Sequence, residues 1–344
     1  MSDLFEVKPD DRKVYEERIR DFLPERIIDV HTHVWLERFR SSYNDPRRIV
    51  TWPDRVAKDS PIEELLATYE LMFPGKKLTP LIFGAVLSRR DDLDGNNQYI
   101  AESMRKHHVP GLIWSVPQWS GEELERRIVE GGFLGVKSYL SNTPEYLPEA
   151  EIRIFDYFPP HQLDAINRRG WIMMLHIPRP GRLRDPVNLG QMLEIERKYP
   201  NIRLIVAHVG RAYCPEDVGN AFDVLAETKR MMFDISANTN AENFERLIRA
   251  VGPKRILFGS DLPITRMRMR RVCENGRYIN LVQKGMYGDV SGDKNMREVD
   301  GEELTFFMYE EIAAFKRAAE NTGLGRCDIE DVFFNNAMRL LEGV

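Results

Sequence analysis

The stretch RIIDVHTH, Arg26 to His33, decides how the chain is read. Its first half is apolar and β-branched, and its second half sets two imidazoles two residues apart, on one side of an extended strand. Seven further runs of the same character follow: PLIFGAVL (Pro80 to Leu87), GLIWSV (Gly111 to Val116), FLGVKSYL (Phe133 to Leu140), WIMMLHI (Trp171 to Ile177), IRLIVAHV (Ile202 to Val209), MMFDIS (Met231 to Ser236) and RILFGSD (Arg255 to Asp261). Each is succeeded by a turn signal and a segment of helical period. Near-continuous apolar character marks strands covered on both faces, as in a parallel sheet. Eight strand–helix units predict a (β/α)8 TIM barrel as the single domain of residues 1–344. A doubly wound open sheet is the alternative; the even spacing and the lack of a G-x-G-x-x-G turn after the first run count against it.

Helix starts are legible beside these runs. Ser60-Pro61-Ile62-Glu63 and Ser120-Gly121-Glu122-Glu123 fit capping boxes, and Asp328 with Asp331 is a weaker version. Three stretches exceed a minimal barrel: residues 1–24, read as an extra helix, and long loops at 34–59 and 262–300. The last, with Tyr278 and Tyr287, is read as a lid over a substrate, because loops of such length in compact domains usually carry function.

Composition narrows the function classes. The chain has 344 residues, 49 Lys+Arg against 54 Asp+Glu, and a net charge of −5, which argues against binding nucleic acid or an anionic membrane surface. With 42% hydrophobic and 30% charged residues it is a packed soluble type. The charged start MSDLFEVKPDDRKVYEERIR carries no signal-like apolar region, and no window reaches a membrane span, so a cytoplasmic location is expected. Cys214, Cys273 and Cys327 form no close pairing and are read as reduced.

The chemistry is read from strand ends. Of seven histidines, His31, His33, His176 and His208 lie at the carboxyl ends of expected strands, as does Asp261, while Lys137 lies within the fourth. All six side chains could meet at one barrel mouth, where barrel enzymes keep catalytic groups. A lone H-x-H or a lone strand-end histidine is usually packing; the joint placement is what points to a divalent metal. His107, His108 and His161 sit at helix ends and receive no catalytic role.

DVHTHVW, GVKSYL, MLHIP, IVAHVGR and LFGSDLP together resemble the amidohydrolase superfamily, from Asp29 to Asp261. The FNNAMRLL tail, with Asn336-Ala337, is similar to that of its amidohydrolase-related branch, which includes aminocarboxymuconate-semialdehyde decarboxylase. The resemblance implies that His31, His33, His176 and Asp261 ligate the more buried metal, the set the strand ends also suggest. It further implies that Asp261 shuttles a proton and that His208 either orients substrate as acid/base or holds a second metal. Zn2+ suits such donors, with Mn2+ or Fe2+ as substitutes and one or two ions. Lys137 matches the position of a bridging carboxylated lysine in some members; otherwise it is an ammonium paired with Asp29, Asp234 or a substrate carboxylate.

Around this set, Arg179 and Arg211 are the candidate clamps for an anionic substrate, ahead of Arg182 and the group Arg266, Arg268, Arg270 and Arg271. Trp35, Trp52 and Tyr139 are candidates for an apolar wall. The leading expectation is a metal-dependent hydrolase of an amide, ester or lactone in a small anionic molecule. The alternative is a decarboxylase in which His208 delivers a proton to carbon, and a metal that merely staples a binding protein ranks third. A homo-oligomer, with residues 1–24 as its contact, follows from family habit.

Overall fold

A computed structural model describes residues 5–41, 55–300 and 303–342 of the chain. Eight parallel strands follow one another as expected: β1 Arg26–His33, β2 Lys77–Phe83, β3 Ile113–Trp114, β4 Gly135–Ser138, β5 Ile172–Leu175, β6 Arg203–Val206, β7 Met232–Asp234 and β8 Ile256–Leu257. Strands β3 to β8 form one ladder in chain order, and β1 pairs with β2. Two seams carry the ring between these sheets. A bridge joins Ile82 to Gly111, and Val30, Asp261 and His33 exchange backbone hydrogen bonds with Phe258, His31 and Leu262. The arrangement is a TIM-barrel-like α/β fold.

Strand parity sorts the core. Met173 and Leu175 of β5, with Leu204 and Val206 of β6, pack outward against helices, whereas Ile172, Met174, Ile205 and Ala207 face an inner cluster. Ala337 and Leu340 of the final helix, Asn336–Glu342, belong to that inner cluster and close one end of the barrel. Asn336 holds the helix there by donating to the carbonyls of Pro253 and Ile256 at 2.8 and 2.7 Å. Helix Ile62–Met72 shows the matching pattern from outside: Ile62, Leu65, Tyr69 and Met72 are buried at a spacing of three and four.

One irregularity decides where the chemistry points. The β1–β2 register slips between Asp29 and Thr32, leaving one extra residue on β1. Ile28 and Val30 therefore face the inner cluster, and after the bulge His31 and His33 do so. Gly259 sits beneath them: a Cβ there would lie 2.7 Å from the His31 Cβ, so only glycine fits.

Several expectations need correction. Residues 262–300 are not an unstructured loop; they contain β9 Met269–Glu274, β10 Arg277–Gln283 and β11 Met296–Val299, ordered β11-β10-β9. The β9–β10 turn is Asn275-Gly276, both with positive φ, 52° and 71°, a combination suited to a tight hairpin. The sheet has its own small core of Met267, Met269, Val282, Val290, Met296 and Phe307. The amino-terminal helix is shorter than expected, Pro9–Val14 followed by a wide turn at Tyr15–Ile19, and its Tyr15 and Ile19 pack on the barrel. Ser60 does not cap a helix; it exchanges two backbone hydrogen bonds with Trp35, and Pro61 takes the cap position without a side-chain bond. Ser120 does cap, accepting from the Glu123 N–H at 3.1 Å. Asp328 acts at the third helical position, accepting from the Gly325 N–H.

The cysteines are also corrected. Cys214 and Cys273 form a disulfide, with Cα atoms 5.7 Å apart, and Cys327 is free and exposed. The partners are 59 residues apart in sequence, so spacing gives no hint of the pairing; folding brings the loop after β6 against β9. Among the described residues no helix is long and apolar enough to cross a membrane.

Candidate active site

Strands β1, β4, β5, β6 and β8 direct His31, His33, Lys137, His176, His208 and Asp261 into one cavity of about 100 Å3. The six residues expected to converge from their strand positions do so. His31 Nε2 and His33 Nε2 lie 3.5 and 3.4 Å from the same oxygen, Asp261 Oδ1. His31, His208 and Asp261 each offer a donor atom within 4.8 Å of the others, a grouping that could hold a metal ion. The rings of His31 and His208 are 4.7 Å apart, and His176 stands 5.4 Å from His208 and 4.5 Å from Tyr139.

The opposite edge of each of three rings is occupied. His31 Nδ1 lies 2.9 Å from Asp234 Oδ2, His33 Nδ1 is 2.7 Å from the Gly84 carbonyl, and His208 Nδ1 is 3.0 Å from the Ser236 carbonyl. Acceptors at Nδ1 place the proton there and leave the Nε2 lone pair for the cavity. His176 Nδ1 is buried without a protein partner among the described residues. Asp234 was not singled out as a site residue in the sequence, yet it accepts from the His31 ring and from the backbone N–H groups of His208 and Ser236. Only the fold brings these residues together.

Burial governs the electrostatics. It lowers His31 to about 3, aided by the charge of Lys137, and also lowers His176 and His208, so these rings are neutral at pH 7. Burial alone would raise Asp261, but the His33, His208 and His31 rings outweigh it and draw the carboxyl down to about 2. Burial lowers Lys137 to about 8 despite the nearby charges of Asp234 and Asp261, and its ammonium lies 5.0 Å over the Phe83 ring. Asp29, at the bulge, is pushed up by burial to about 7, although Ser260, Tyr69 and His31 donate to it.

The backbone around the cavity is unusual. His208, Arg211, Ala237 and Asp261 all line it and all have positive φ, between 49° and 61°. Non-glycine residues held in this region cost about 1–3 kcal/mol each and cluster at functional sites. The turn His208-Val209-Gly210-Arg211 is left-handed at every residue, and it carries the His208 ring into the cavity instead of outward.

Other sequence candidates divide. Arg211 and Tyr139 line the cavity; Arg179 and Trp35 do not. Arg179 donates to the carbonyls of Ile152 and Glu151, and Trp35 Nε1 donates to Lys58 O at 2.6 Å under the Arg40 guanidinium. Arg179 was favoured for its nearness in sequence to His176, but the chain turns it toward the Ile152 and Glu151 carbonyls directly after the strand. Trp52 lies outside the described residues. Conversely, Arg271, Tyr213 and Tyr278 line the cavity and were not favoured. The Asn275-Gly276 turn is the signal that marks a hairpin able to deliver Arg271 and Tyr278 there.

Comparison with known proteins settles the family. The profile of the family described as "Amidohydrolase" matches residues 28–279. The chain belongs to the amidohydrolase family. Among solved structures, this amidohydrolase is similar in fold to one from Burkholderia multivorans with bound zinc, at 14% identity and a TM-score of 0.58, covering 92% of this chain and 99% of that one. It also resembles 5-carboxyvanillate decarboxylase from Sphingomonas paucimobilis, at 12% identity, TM-score 0.53, and coverage of 93% and 99%. A dihydroxybenzoic acid decarboxylase from Polaromonas sp. JS666, with bound manganese and 2-nitroresorcinol, gives 16% identity, TM-score 0.52, and coverage of 93% and 97%. A sequence comparison with curated proteins finds no match.

Proposed function

We propose that this amidohydrolase is a metal-dependent hydrolase that opens an amide, ester or lactone bond in a small anionic substrate. The observation that carries the reading is the grouping of His31, His208 and Asp261 within 4.8 Å, its rings neutral and its carboxyl ionised. Nitrogen and oxygen donors of this kind suit Zn2+, with Mn2+ or Fe2+ as substitutes. His31, His33, His176 and Asp261 would hold the ion, His208 standing beside them as a further ligand or as the residue that orients the substrate. When bound, such an ion polarises a carbonyl oxygen and acidifies water.

The remaining work falls to side chains. Asp261, ionised at neutral pH, accepts the proton of the attacking water and returns it to the leaving atom. Asp234 holds the His31 ring in one tautomer. Lys137 faces the substrate's negative charge, Arg211 adds positive charge to the same cavity, and Tyr139 forms a wall beside His176.

A decarboxylase is the second reading, favoured by Lys137. A buried ammonium with a pKa near 8 is a proton donor at neutral pH, which protonation of a carbanion requires, whereas in the hydrolase reading Asp261 already returns the water's proton to the leaving atom. Turnover in 18O-water separates the two. A panel of lactones, esters and amides carrying carboxylates should yield acids bearing one 18O. Release of CO2 from carboxylic acids, with solvent deuterium fixed on carbon and no 18O uptake, would replace the hydrolase reading with the lyase one.

A further inference from the structure

The cavity carries more positive charge than one anionic group needs. Lys137, Arg211 and Arg271 line it against a single carboxylate, Asp261. Arg271, on β9, is 9% exposed. Its Nε donates to Asn280 Oδ1 at 2.9 Å and its Nη1 to the Ala237 carbonyl, both neutral acceptors. The rings of Tyr213, Tyr278 and Phe307 stand 4.6, 4.5 and 4.6 Å from the guanidinium carbon. Among the described residues no carboxylate pairs with Arg271, and its Nη2 has no protein acceptor.

Burial of a guanidinium without a counter-charge is unfavourable, and ring faces offset only part of it. Neighbouring arginines do have partners: Arg182 pairs with Asp217, and Arg268 with Asp11. Arg182 also stands 5.3 and 5.0 Å from the Tyr213 and Tyr278 rings, adding to the positive field. Arg211 is held likewise by neutral groups, its Nη1 donating to the carbonyls of Ile177, Pro178 and Arg179. Two guanidinium groups, one from the loop after β6 and one from the hairpin, thus reach the same cavity with donors to spare.

We propose that Arg271 and Arg211 form a subsite for a second anionic group, so that the substrate is a dianion of the dicarboxylate class. The inference rests on the proposed hydrolase reading, in which the first anionic group faces Lys137. Tyr213 and Tyr278 flank the subsite and fit a flat or short-chain substrate. Arg271 is then a specificity-determining residue, whereas a merely structural arginine would only fasten Ala237 and Asn280.

Calorimetric titration of the metal-loaded full chain with isophthalate and with benzoate tests this. Isophthalate should bind at least about tenfold more tightly than benzoate. Arg271→Gln should erase that advantage while leaving benzoate within about threefold of the parent. Arg271→Lys, which keeps the charge but not the fork, should retain part of it and serves if the Gln variant fails to fold. Equal affinities for the two probes in the parent, no isophthalate binding, or a parallel loss of both in the variants would overturn the subsite. Repeating the titration after chelation separates the two readings. If the metal assignment is wrong, chelation changes nothing while the Arg271 effect stays; if the subsite is wrong, chelation weakens both probes and Arg271 does not distinguish them.

Discussion

The His31 Nδ1 atom lies 2.9 Å from Asp234 Oδ2, and both side chains are 1% exposed or less. The same carboxylate accepts from the His208 backbone N–H at 2.8 Å, through its other oxygen. One buried group therefore fixes the first strand's histidine and the start of the left-handed turn that carries another. Asp234→Asn should lower divalent-metal affinity by about 10–100-fold, since outer partners of ligating histidines have that weight. Competition against a chromophoric chelator measures it, and unchanged affinity would remove Asp234 from the site.

Lys137 has a distinct signature. It is buried, faces the cavity and discharges near pH 8. The ammonium is the form present below that pH, so attraction for an anionic substrate is full at pH 7 and fades as pH rises through about 8. A plot of kcat/KM against pH should fall on that alkaline side, and Lys137→Met should flatten the limb and raise KM. Elemental analysis of protein purified without added metal or chelator should give about one ion per chain, unchanged by Lys137→Met. About two ions, falling on substitution, would establish a bridging carboxylated lysine instead.

Glu311 offers a test of stability. It is fully buried and its carboxyl is held well above the ordinary glutamate range by burial, with Asp29, Asp234 and Asp261 adding to the shift. The unfolded chain releases this proton near its ordinary pKa while the folded chain retains it. Stability present below about pH 4.5 is thus lost as pH rises toward the folded value. In Glu311→Gln that loss disappears, so the melting temperature of the variant relative to the parent should climb between pH 5 and pH 8. A constant difference across that range would mean that Glu311 ionises normally.

The disulfide makes a chemical prediction. Native protein should show one reactive thiol, Cys327, and three after reduction and unfolding. Linking residues 59 apart constrains the unfolded chain by about 4 kcal/mol in the loop-entropy account. A reducing agent should shift the urea midpoint downward by a corresponding amount, and Cys214→Ser should start at the lower midpoint and ignore the reductant.

Much of this architecture was legible because strands announce themselves by short apolar runs and barrel enzymes place chemistry at their ends. All eight runs became strands, and His31, His33, Lys137, His176, His208 and Asp261 share a cavity. What escaped was contact made by folding at long range. Asp234 meets His31 across 203 positions, and Cys214 meets Cys273 across 59. Arg179 follows His176 by three residues yet turns to the Ile152 carbonyl, while Arg271, far from every proposed ligand except Asp261, reaches the cavity from the hairpin. Periodicity describes which face a residue shares with its neighbours; it is silent about where a loop returns.

The extra residue between Asp29 and Thr32 has a wider meaning. It separates the barrel's apolar floor, Ile28 and Val30, from the reactive mouth, His31 and His33, by a change of phase within a single strand. Were the same residues to run from Ile28 in unbroken alternation, the strand would keep its apolar run and its H-x-H spelling, yet both imidazoles would turn toward the outer helices. The product would be a barrel with an intact hydrophobic interior and an empty chemical repertoire, which makes this irregularity the hinge between being a fold and being a catalyst.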